Sequence, residues 1–165
     1  MKRILLVLGV VAVFAGAFFL FTRTRPAATP PPPAVPKADT QAEERRSLFG
    51  EQALAPDVQW RTSGLGYKIL KEGTAPKPTL GAHAELIYVG RLKDGTVFDQ
   101  AETPRKVFIG TLIPGFATGV QMLGTGGKAV LYVPPSLAYG GRKVMGIPPQ
   151  SGLIFEVEVV SVTQP

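Results

Sequence analysis

Three features of the sequence predict an α+β fold, with a twisted antiparallel β-sheet wrapped around one short α-helix. Residues 85–99 form an apolar strand, an Asp-Gly turn and a return strand, which is the pattern of a β-hairpin. Residues 153–162 alternate apolar and polar side chains, as in a strand with one buried face. Between these segments, Pro114 precedes apolar residues at helical spacing and Gly124 follows them, which predicts a single short helix.

The composition bounds the architecture and excludes several kinds of chemistry. The chain has 165 residues and a formal net charge of +6, a length that suits one domain with appendages. Its basic residues are neither clustered nor interleaved with aromatic residues, which favours a mildly basic surface over a nucleic-acid site. The sequence contains no Cys, which excludes disulfides, thiolate catalysis and a lipid-modified N-terminal cysteine.

The N-terminus carries an uncharged apolar run at residues 4–21, behind a short basic head. As a helix this run would reach roughly 27 Å, enough to cross a bilayer core. We therefore expect residues 1–25 to form an uncleaved transmembrane anchor that leaves the rest of the chain exported. A cleaved signal peptide is the alternative, because residues 15–17 have a small-x-small pattern. Cleavage there would leave the apolar residues 18–21 at the mature N-terminus.

We interpret residues 26–55 as a Pro-rich linker followed by a short stalk. Four consecutive prolines at 30–33 favour a polyproline II spacer. A capping box at 40–43 predicts a short helix over 43–53 with a small apolar face. Short strands and Gly/Pro turns follow, so the compact domain is predicted over 56–165.

Further strands of this domain are predicted at 65–71, 106–109 and 128–133 from their alternation and flanking turns. Residues 134–141 are expected to form a turn-rich loop. In the last strand, Leu153, Phe155, Val157 and Val159 are predicted to face the core, with Glu156 and Glu158 on the other face.

Nucleophile, metal and phosphate sites find little support in the sequence. His83 is the only histidine and lies in a predicted turn, where a solvated side chain is the simpler interpretation. No serine occupies a G-x-S-x-G elbow, and the acidic residues lack metal-ligand spacing. The glycines at 124–127 follow a helix and precede a strand, the wrong order for a phosphate loop. We therefore expect neither a metal nor a cofactor.

The remaining candidate residues are aromatic and apolar, with Asp99 as the one carboxylate among them. Tyr88 and Tyr139 are favoured as site residues because a phenol hydroxyl needs a partner and tends to lie at a half-wet rim. For Phe108 the sequence does not separate a core position from a site position.

Six short motifs then occur in a defined order. They are Tyr88-Val89-Gly90, Asp94-Gly95-x-x-Phe98-Asp99, Ile113-Pro114-Gly115-Phe116, Leu137-Ala138-Tyr139-Gly140, Ile147-Pro148-Pro149 and Leu153-Ile154-Phe155-Glu156-Val157. Together they resemble the FKBP-type peptidyl-prolyl cis-trans isomerases over about residues 59–163. The twisted antiparallel sheet around one short helix in that family agrees with the fold predicted above.

The resemblance implies a proline-binding pocket with catalytic and substrate-binding residues. The implied catalytic residues are Tyr88, Phe98, Asp99 and Tyr139, and the implied substrate-binding residues are Leu112, Ile113, Phe116, Ile147, Phe155 and Arg105. Tyr139 would donate its hydroxyl to a peptide carbonyl, the N–H of Ile113 would bind a second carbonyl, and Asp99 would accept a hydrogen bond from Tyr88.

Three departures from the family pattern affect the pocket. Phe116 stands where many relatives have tryptophan, which reduces the expected ring area of the floor. The segment after Asp99 is short and lacks the arginine that often pairs with this carboxylate in relatives. Arg105 replaces a frequent aromatic, and we expect its guanidinium at the rim, free to pair with an acidic residue beside the substrate proline.

The function implied by the resemblance is rotation of X-Pro peptide bonds, assisting the folding of exported proteins. Expected partners are proline-containing polypeptides, macrolide inhibitors and the membrane through the N-terminal segment, with no nucleic acid. The expected location is a bacterial inner membrane with the domain facing the periplasm or cell exterior, or secretion after signal cleavage. The alternative function is a non-catalytic FKBP-like peptide-binding or chaperone module.

Overall fold

The computed structural model of the chain describes residues 37–144 and 146–165. Within these residues there are two α-helices and six β-strands: α1 (Lys37–Phe49), β1 (Gln59–Trp60), β2 (Gly66–Lys71), β3 (His83–Arg91), β4 (Val97–Phe108), α2 (Pro114–Met122), β5 (Lys128–Val133) and β6 (Leu153–Thr163). Three single 3-10 turns lie at Glu51–Leu54, Ile109–Thr111 and Pro135–Leu137. The predicted anchor and the prolines of the predicted linker lie outside the described residues. Among the described helices, none has the length and apolar character needed to cross a bilayer.

The strands form one six-stranded sheet in the order β1-β2-β5-β6-β3-β4, and every neighbouring pair is antiparallel. This arrangement confirms the predicted α+β class. The hairpin of β3 and β4 closes through the predicted Asp94-Gly95 turn, where Gly95 has a φ of 88°. A positive φ at this point is readily adopted by glycine and strained for other residues.

The alternation along β3 and β6 separates the two faces of the sheet. On β3, Leu86 and Tyr88 are buried, whereas Ile87 and Val89, which alternate with them, are half-buried. On β6, the four residues predicted to face the core are all buried in one cluster, which we call the inner core. Period-two alternation with one buried face therefore holds on both strands.

Helix α2 packs against the inner face of the sheet, with Phe116 and Val120 in the inner core. Pro114 occupies the first turn of α2, as predicted. The N–H groups of a first turn have no acceptor within the helix, so the N–H that proline lacks costs no helical hydrogen bond there. Gly115 and Gly119 face Val133 and Leu131 on β5, and a Cβ at either glycine would collide with those side chains. The helix thus lies unusually close to β5.

Strand β4 differs from the prediction, because the expected return strand and the expected strand at 106–109 are one continuous element. Leu86 pairs with Arg105 while Tyr88 pairs with Ala101, so the single residue between the two pairs on β3 is matched by three residues on β4. This is a bulge in an edge strand, and it accommodates Pro104, which cannot donate to a ladder. Strand β4 ends at Phe108, after which Ile109 begins a 3-10 turn.

The N-terminal helix also differs from the predicted stalk. Helix α1 begins at Lys37, before the expected capping box, and Thr40 lies inside it. Phe49 at its end is only 1% exposed and packs in a second cluster, the outer core. The outer core comprises Phe49, Ala53, Val58, Tyr132 and Ile154. The end of α1 and the following 3-10 turn therefore pack on the domain through Phe49 and Ala53, within the segment that the sequence assigns to a short stalk.

Candidate active site

A cavity of about 380 Å³ opens on the inner side of the sheet. Its lining residues come from β3, β4, β6, α2 and two loops: Tyr88, Phe98, Asp99, Thr111, Leu112, Ile113, Phe116, Tyr139, Val144, Ile147 and Phe155. Most of these side chains are apolar or aromatic. The cavity therefore suits an apolar group that needs a few directed hydrogen bonds.

Three phenylalanines form the floor and one wall of this pocket. The rings of Phe116 and Phe155 stack with centroids 4.4 Å apart and an interplanar angle of 21°. Phe98 stands edge-on to Phe155, with centroids 5.5 Å apart and an angle of 89°. Stacked and edge-to-face contacts are the favoured aromatic geometries, so the rings hold one another in place.

The polar wall of the pocket is a hydrogen-bonded group of Tyr88, Asp99 and Arg105. The hydroxyl of Tyr88 donates to Oδ2 of Asp99 at 2.7 Å. Nη1 of Arg105 donates to the same hydroxyl oxygen at 2.8 Å and lies 3.6 Å from Oδ1 of Asp99. Nη2 of Arg105 adds a contact of 3.3 Å to the carbonyl of Gln100. The Tyr88 hydroxyl therefore both donates and accepts within this wall.

This geometry corrects the expectation for Arg105. The sequence suggested a free guanidinium at the rim and no arginine beside Asp99, but Arg105 contacts both Tyr88 and Asp99. The bulge of β4 explains the difference, because its two extra residues bring Arg105 opposite Leu86, next to the Tyr88 pair. Arg105 therefore contacts two residues of the polar wall, although it is not itself among the residues that line the cavity.

Tyr88 stays protonated over the ordinary pH range. Burial first, then the hydrogen bond to Asp99 and the negative charge of that carboxylate, raise the pKa of Tyr88 to about 12. The charge and hydrogen bond of Arg105 act in the opposite direction and are outweighed. The phenol is thus a lasting donor to Asp99 and has no role as a base.

Two donors at the pocket have no acceptor among the described residues. The backbone N–H of Ile113 precedes the first turn of α2, whereas its carbonyl accepts from the N–H of Ala117 at 2.9 Å. The hydroxyl of Tyr139, a half-buried side chain, likewise has no hydrogen-bond partner in residues 37–144 and 146–165. Both groups can donate to carbonyl oxygens of a bound chain.

The predicted site residues are brought together with one exception. Nine of the ten line the cavity, and Arg105 contacts Tyr88 and Asp99 without lining it. The cavity adds Thr111 and Val144, which sit in short irregular segments without a periodic pattern. Phe108 is 39% exposed, outside the pocket, and its ring lies 5.2 Å from that of His83. His83 is the first residue of β3, where the sequence suggested a turn.

The described residues show no group of three His, Asp or Glu side chains arranged to hold a metal.

A larger open groove of about 480 Å³ lies between α1 and residues 61–64. Half of its lining residues are exposed polar ones, and Arg45 stacks over Trp60 with its guanidinium carbon 4.3 Å from the ring centroid. The pocket over Phe116 combines apolar lining with convergent free donors, and we therefore take it as the candidate site.

The fold and this pocket define a small α+β domain whose cavity combines an aromatic floor with two hydrogen-bond donors suited to a polypeptide backbone. Comparison with known sequences identifies the class further. Residues 75–160 match the sequence model of the FKBP-type peptidyl-prolyl cis-trans isomerases. The chain belongs to this family, which confirms the resemblance noted in the sequence.

Individual relatives agree with this assignment. The probable FKBP-type isomerase FkpA of Neisseria meningitidis is 38% identical over 137 residues, covering 78% of this chain and 50% of the relative. The outer membrane protein MIP of Legionella longbeachae is 35% identical over 130 residues, covering 76% of this chain and 56% of the relative. The chain thus spans about half the length of these curated relatives.

A solved structure extends the comparison to the fold. The crystal structure of a peptidyl-prolyl cis-trans isomerase from Pseudomonas syringae has a TM-score of 0.67 to this chain at 31% identity. The match covers 83% of this chain and 100% of the crystallised one. The FKBP-like fold is therefore shared.

Proposed function

We propose that this chain catalyses cis-trans isomerisation of X-Pro peptide bonds in the pocket over Phe116. The observation that carries this proposal is the stacked floor of Phe116 and Phe155, flanked by the unpartnered donors of Ile113 and Tyr139. A pyrrolidine ring is an apolar group that fits such a floor. The two donors are suited to the carbonyl oxygens on either side of it.

The chemistry requires no nucleophile. Amide resonance keeps the C–N bond planar and imposes a barrier of about 18–20 kcal/mol on rotation. In the twisted transition state the resonance is lost and the carbonyl carries less charge. An apolar, water-poor cavity therefore destabilises the planar amide more than the twisted one, which is the differential binding that lowers a barrier.

The residues divide this work between shape and orientation. The phenylalanines at 98, 116 and 155 provide the apolar surface, together with Leu112 and Ile147. Tyr139 and the N–H of Ile113 orient the peptide backbone by hydrogen bonds. Asp99 accepts a hydrogen bond from the hydroxyl of Tyr88, and Arg105 donates one to the same hydroxyl. Together these contacts fix the shape of the polar wall.

An isomerisation assay on the purified full chain tests the proposal. We expect acceleration of a proline peptide that isomerises in tens to hundreds of seconds unaided, with inhibition by an FKBP-binding macrolide. Binding of the peptide without any acceleration would favour the non-catalytic peptide-binding module. Failure of both binding and acceleration would remove the pocket as the site.

We further propose that the domain acts outside the cytoplasm on exported proteins, with residues 1–25 as a membrane anchor and a Pro-rich linker after them. Two observations support this: the uncharged run at residues 4–21, and a relative whose name is outer membrane protein MIP. The full-length protein should remain in the membrane fraction after alkaline carbonate extraction. A mature form lacking the first residues and recovered in the soluble fraction would instead indicate signal cleavage.

A further inference from the structure

The loop that follows Tyr139 carries two cations, Arg142 and Lys143, whose side chains are exposed. At its start, the N–H of Arg142 donates to the carbonyl of Tyr139 at 3.2 Å. The loop is also anchored through Gly140, which donates to the carbonyl of Pro135 at 2.9 Å. The backbone before the two cations is therefore fixed next to a pocket residue.

The backbone after the two cations is fixed as well. Val144 and Ile147 exchange backbone hydrogen bonds, with the N–H of Ile147 donating at 2.7 Å and the N–H of Val144 at 3.3 Å. Both residues line the cavity. Consecutive Cα atoms lie about 3.8 Å apart, so Lys143 is one short step from the cavity wall. The backbone that carries the two charges is consequently adjacent to the pocket.

No carboxylate of the described chain neutralises these charges. Neither Arg142 nor Lys143 has a described Asp or Glu oxygen within 4.0 Å, although Arg91 and Lys128 pair with Glu156 and Glu158 at 2.8 Å. The sequence contains no acidic residue between Glu102 and Glu156. The loop therefore presents an unbalanced positive charge.

The other cations near the pocket are already engaged. Arg105 contacts Asp99 and Tyr88 in the wall. Lys106 lies opposite Glu85 in the register of β3 and β4, lines a separate depression with His83, and is not among the residues that line the cavity. Nε of Arg142 donates only to the uncharged carbonyl of Tyr139, at 3.5 Å, so the positive charge of the loop at Arg142 and Lys143 stays available to a bound chain.

We propose that Arg142 and Lys143 make the pocket selective for proline-containing segments that carry Asp or Glu within two residues of the isomerised bond. This inference rests on the proposed isomerase function. An exposed ion pair contributes about 0.2–1 kcal/mol and is screened by salt, so the selectivity is modest and depends on ionic strength. The same attraction raises the encounter rate, so its effect falls on KM more than on kcat.

The test compares peptides that differ only in one residue near proline. Peptides with Glu, Gln or Lys at each position within two residues of the proline are assayed with the full chain at low and high salt. We expect kcat/KM for the best Glu peptide to exceed that for its Gln counterpart by about two- to fivefold at low salt. High salt should remove most of this ratio, and Lys peptides should fall below Gln.

Variants assign the ratio to the loop. In Arg142→Gln/Lys143→Gln the Glu/Gln ratio should approach one, and Arg142→Glu/Lys143→Glu should invert the preference toward Lys. The matched control Lys71→Gln/Lys77→Gln removes two exposed cations elsewhere and should keep the parent ratio.

The outcomes separate the two proposals. Equal kcat/KM values for Glu, Gln and Lys peptides at low salt would overturn this inference alone. A ratio that survives neutralisation of the loop but is lost in the control variant would also overturn it. Absence of turnover with every peptide would overturn the isomerase function and this inference with it.

Discussion

Arg105 donates a hydrogen bond of 2.8 Å to the hydroxyl oxygen of Tyr88, and that hydroxyl in turn donates a hydrogen bond of 2.7 Å to Oδ2 of Asp99. The guanidinium thus stabilises the polar wall without entering the cavity. Because Arg105 and Asp99 are each about half exposed, with side-chain accessibilities of 52% and 50%, solvent weakens their mutual attraction. The hydrogen bond to the buried phenol is the stronger constraint.

Replacing Arg105 should therefore reduce activity without abolishing it. Arg105→Gln loses a charge-assisted contact, and we expect kcat/KM to fall about fivefold, corresponding to about 1 kcal/mol. Arg105→Lys should recover little, because one ammonium group cannot replace the two guanidinium contacts to Tyr88 and Gln100. Arg91→Gln, which breaks an exposed ion pair on the outer face, is the control and should stay near the parent rate. Unchanged turnover in Arg105→Gln would contradict the supporting role.

The shape of the pocket should matter more than its rim hydroxyl. Phe98→Ala removes a ring that stands against Phe155, and Asp99→Leu removes the acceptor of Tyr88. Both should lower kcat/KM more than Tyr139→Phe, which removes one hydrogen bond of about 0.5–1.5 kcal/mol. Steady-state assays on folded variants, verified by circular dichroism, decide the order. If Tyr139→Phe lowers kcat/KM the most of the three, the hydrogen bond that orients the peptide contributes more to the rate than the shape of the pocket does.

The raised pKa of Tyr88 predicts an observable titration of this residue at alkaline pH. Its folded pKa of about 12 lies above the usual value near 10, so the folded state favours the protonated phenol. The associated stability is complete below about pH 10 and is lost as the pH rises toward 12. Phenolate absorbance should show a tyrosine titrating near pH 12 that is missing in Tyr88→Phe. Burial also raises the pKa of Tyr132, so the titration of Tyr132 should remain visible in the Tyr88→Phe variant.

Two glycines provide a matched test of pocket packing. A Cβ at Gly90 would lie 2.6 Å from the Phe98 ring and 3.0 Å from Phe155, whereas a Cβ at Gly66 would lie 2.8 Å from the Trp60 ring. Each alanine overpacks its surroundings at a cost of about 1–3 kcal/mol in unfolding free energy. Only Gly90→Ala should also lower kcat/KM, by about tenfold, because it displaces pocket rings. Equal kinetic losses in both variants would point to general destabilisation.

The outer core should contribute stability without contributing to turnover. Phe49→Ala should reduce the free energy of unfolding by about 3–5 kcal/mol, since it empties a buried aromatic site. Leu80→Ala, at a side chain that is 58% exposed, is the control and should change it little. Denaturant melts of the full chain measure both. At temperatures where Phe49→Ala remains folded, its kcat/KM should equal that of the parent.

Periodic segments were predictable from the sequence, and segments governed by tertiary contacts were not. The faces of β3 and β6 and the start of α2 followed from alternation, from Pro114 and from helical spacing. The bulge in β4 was missed because residues 100–104, with their proline, look like a break between strands. That bulge also hid the Arg105 contact, which depends on register across β3 and β4.

The start of α1 and two pocket residues escaped prediction for related reasons. The capping box at 40–43 is a local signal, but α1 starts before it. The burial of Phe49 was not predictable locally, because the residues that it packs against, Tyr132 and Ile154, are remote in sequence. Thr111 and Val144 lie in irregular segments, where no repeating pattern indicates which side chain faces a cavity.

The two cores lie on opposite faces of the same strands. Along β5, Leu131 belongs to the inner core and its neighbour Tyr132 to the outer core, and along β6 the same holds for Phe155 and Ile154. The sheet thus acts as a partition between two sets of side chains that share backbone but little contact. The changes in unfolding free energy caused by one substitution in the inner core and one in the outer core should add almost fully, because the two side chains have few contacts with each other. Such a domain can change its substrate preference and its robustness by separate evolutionary routes.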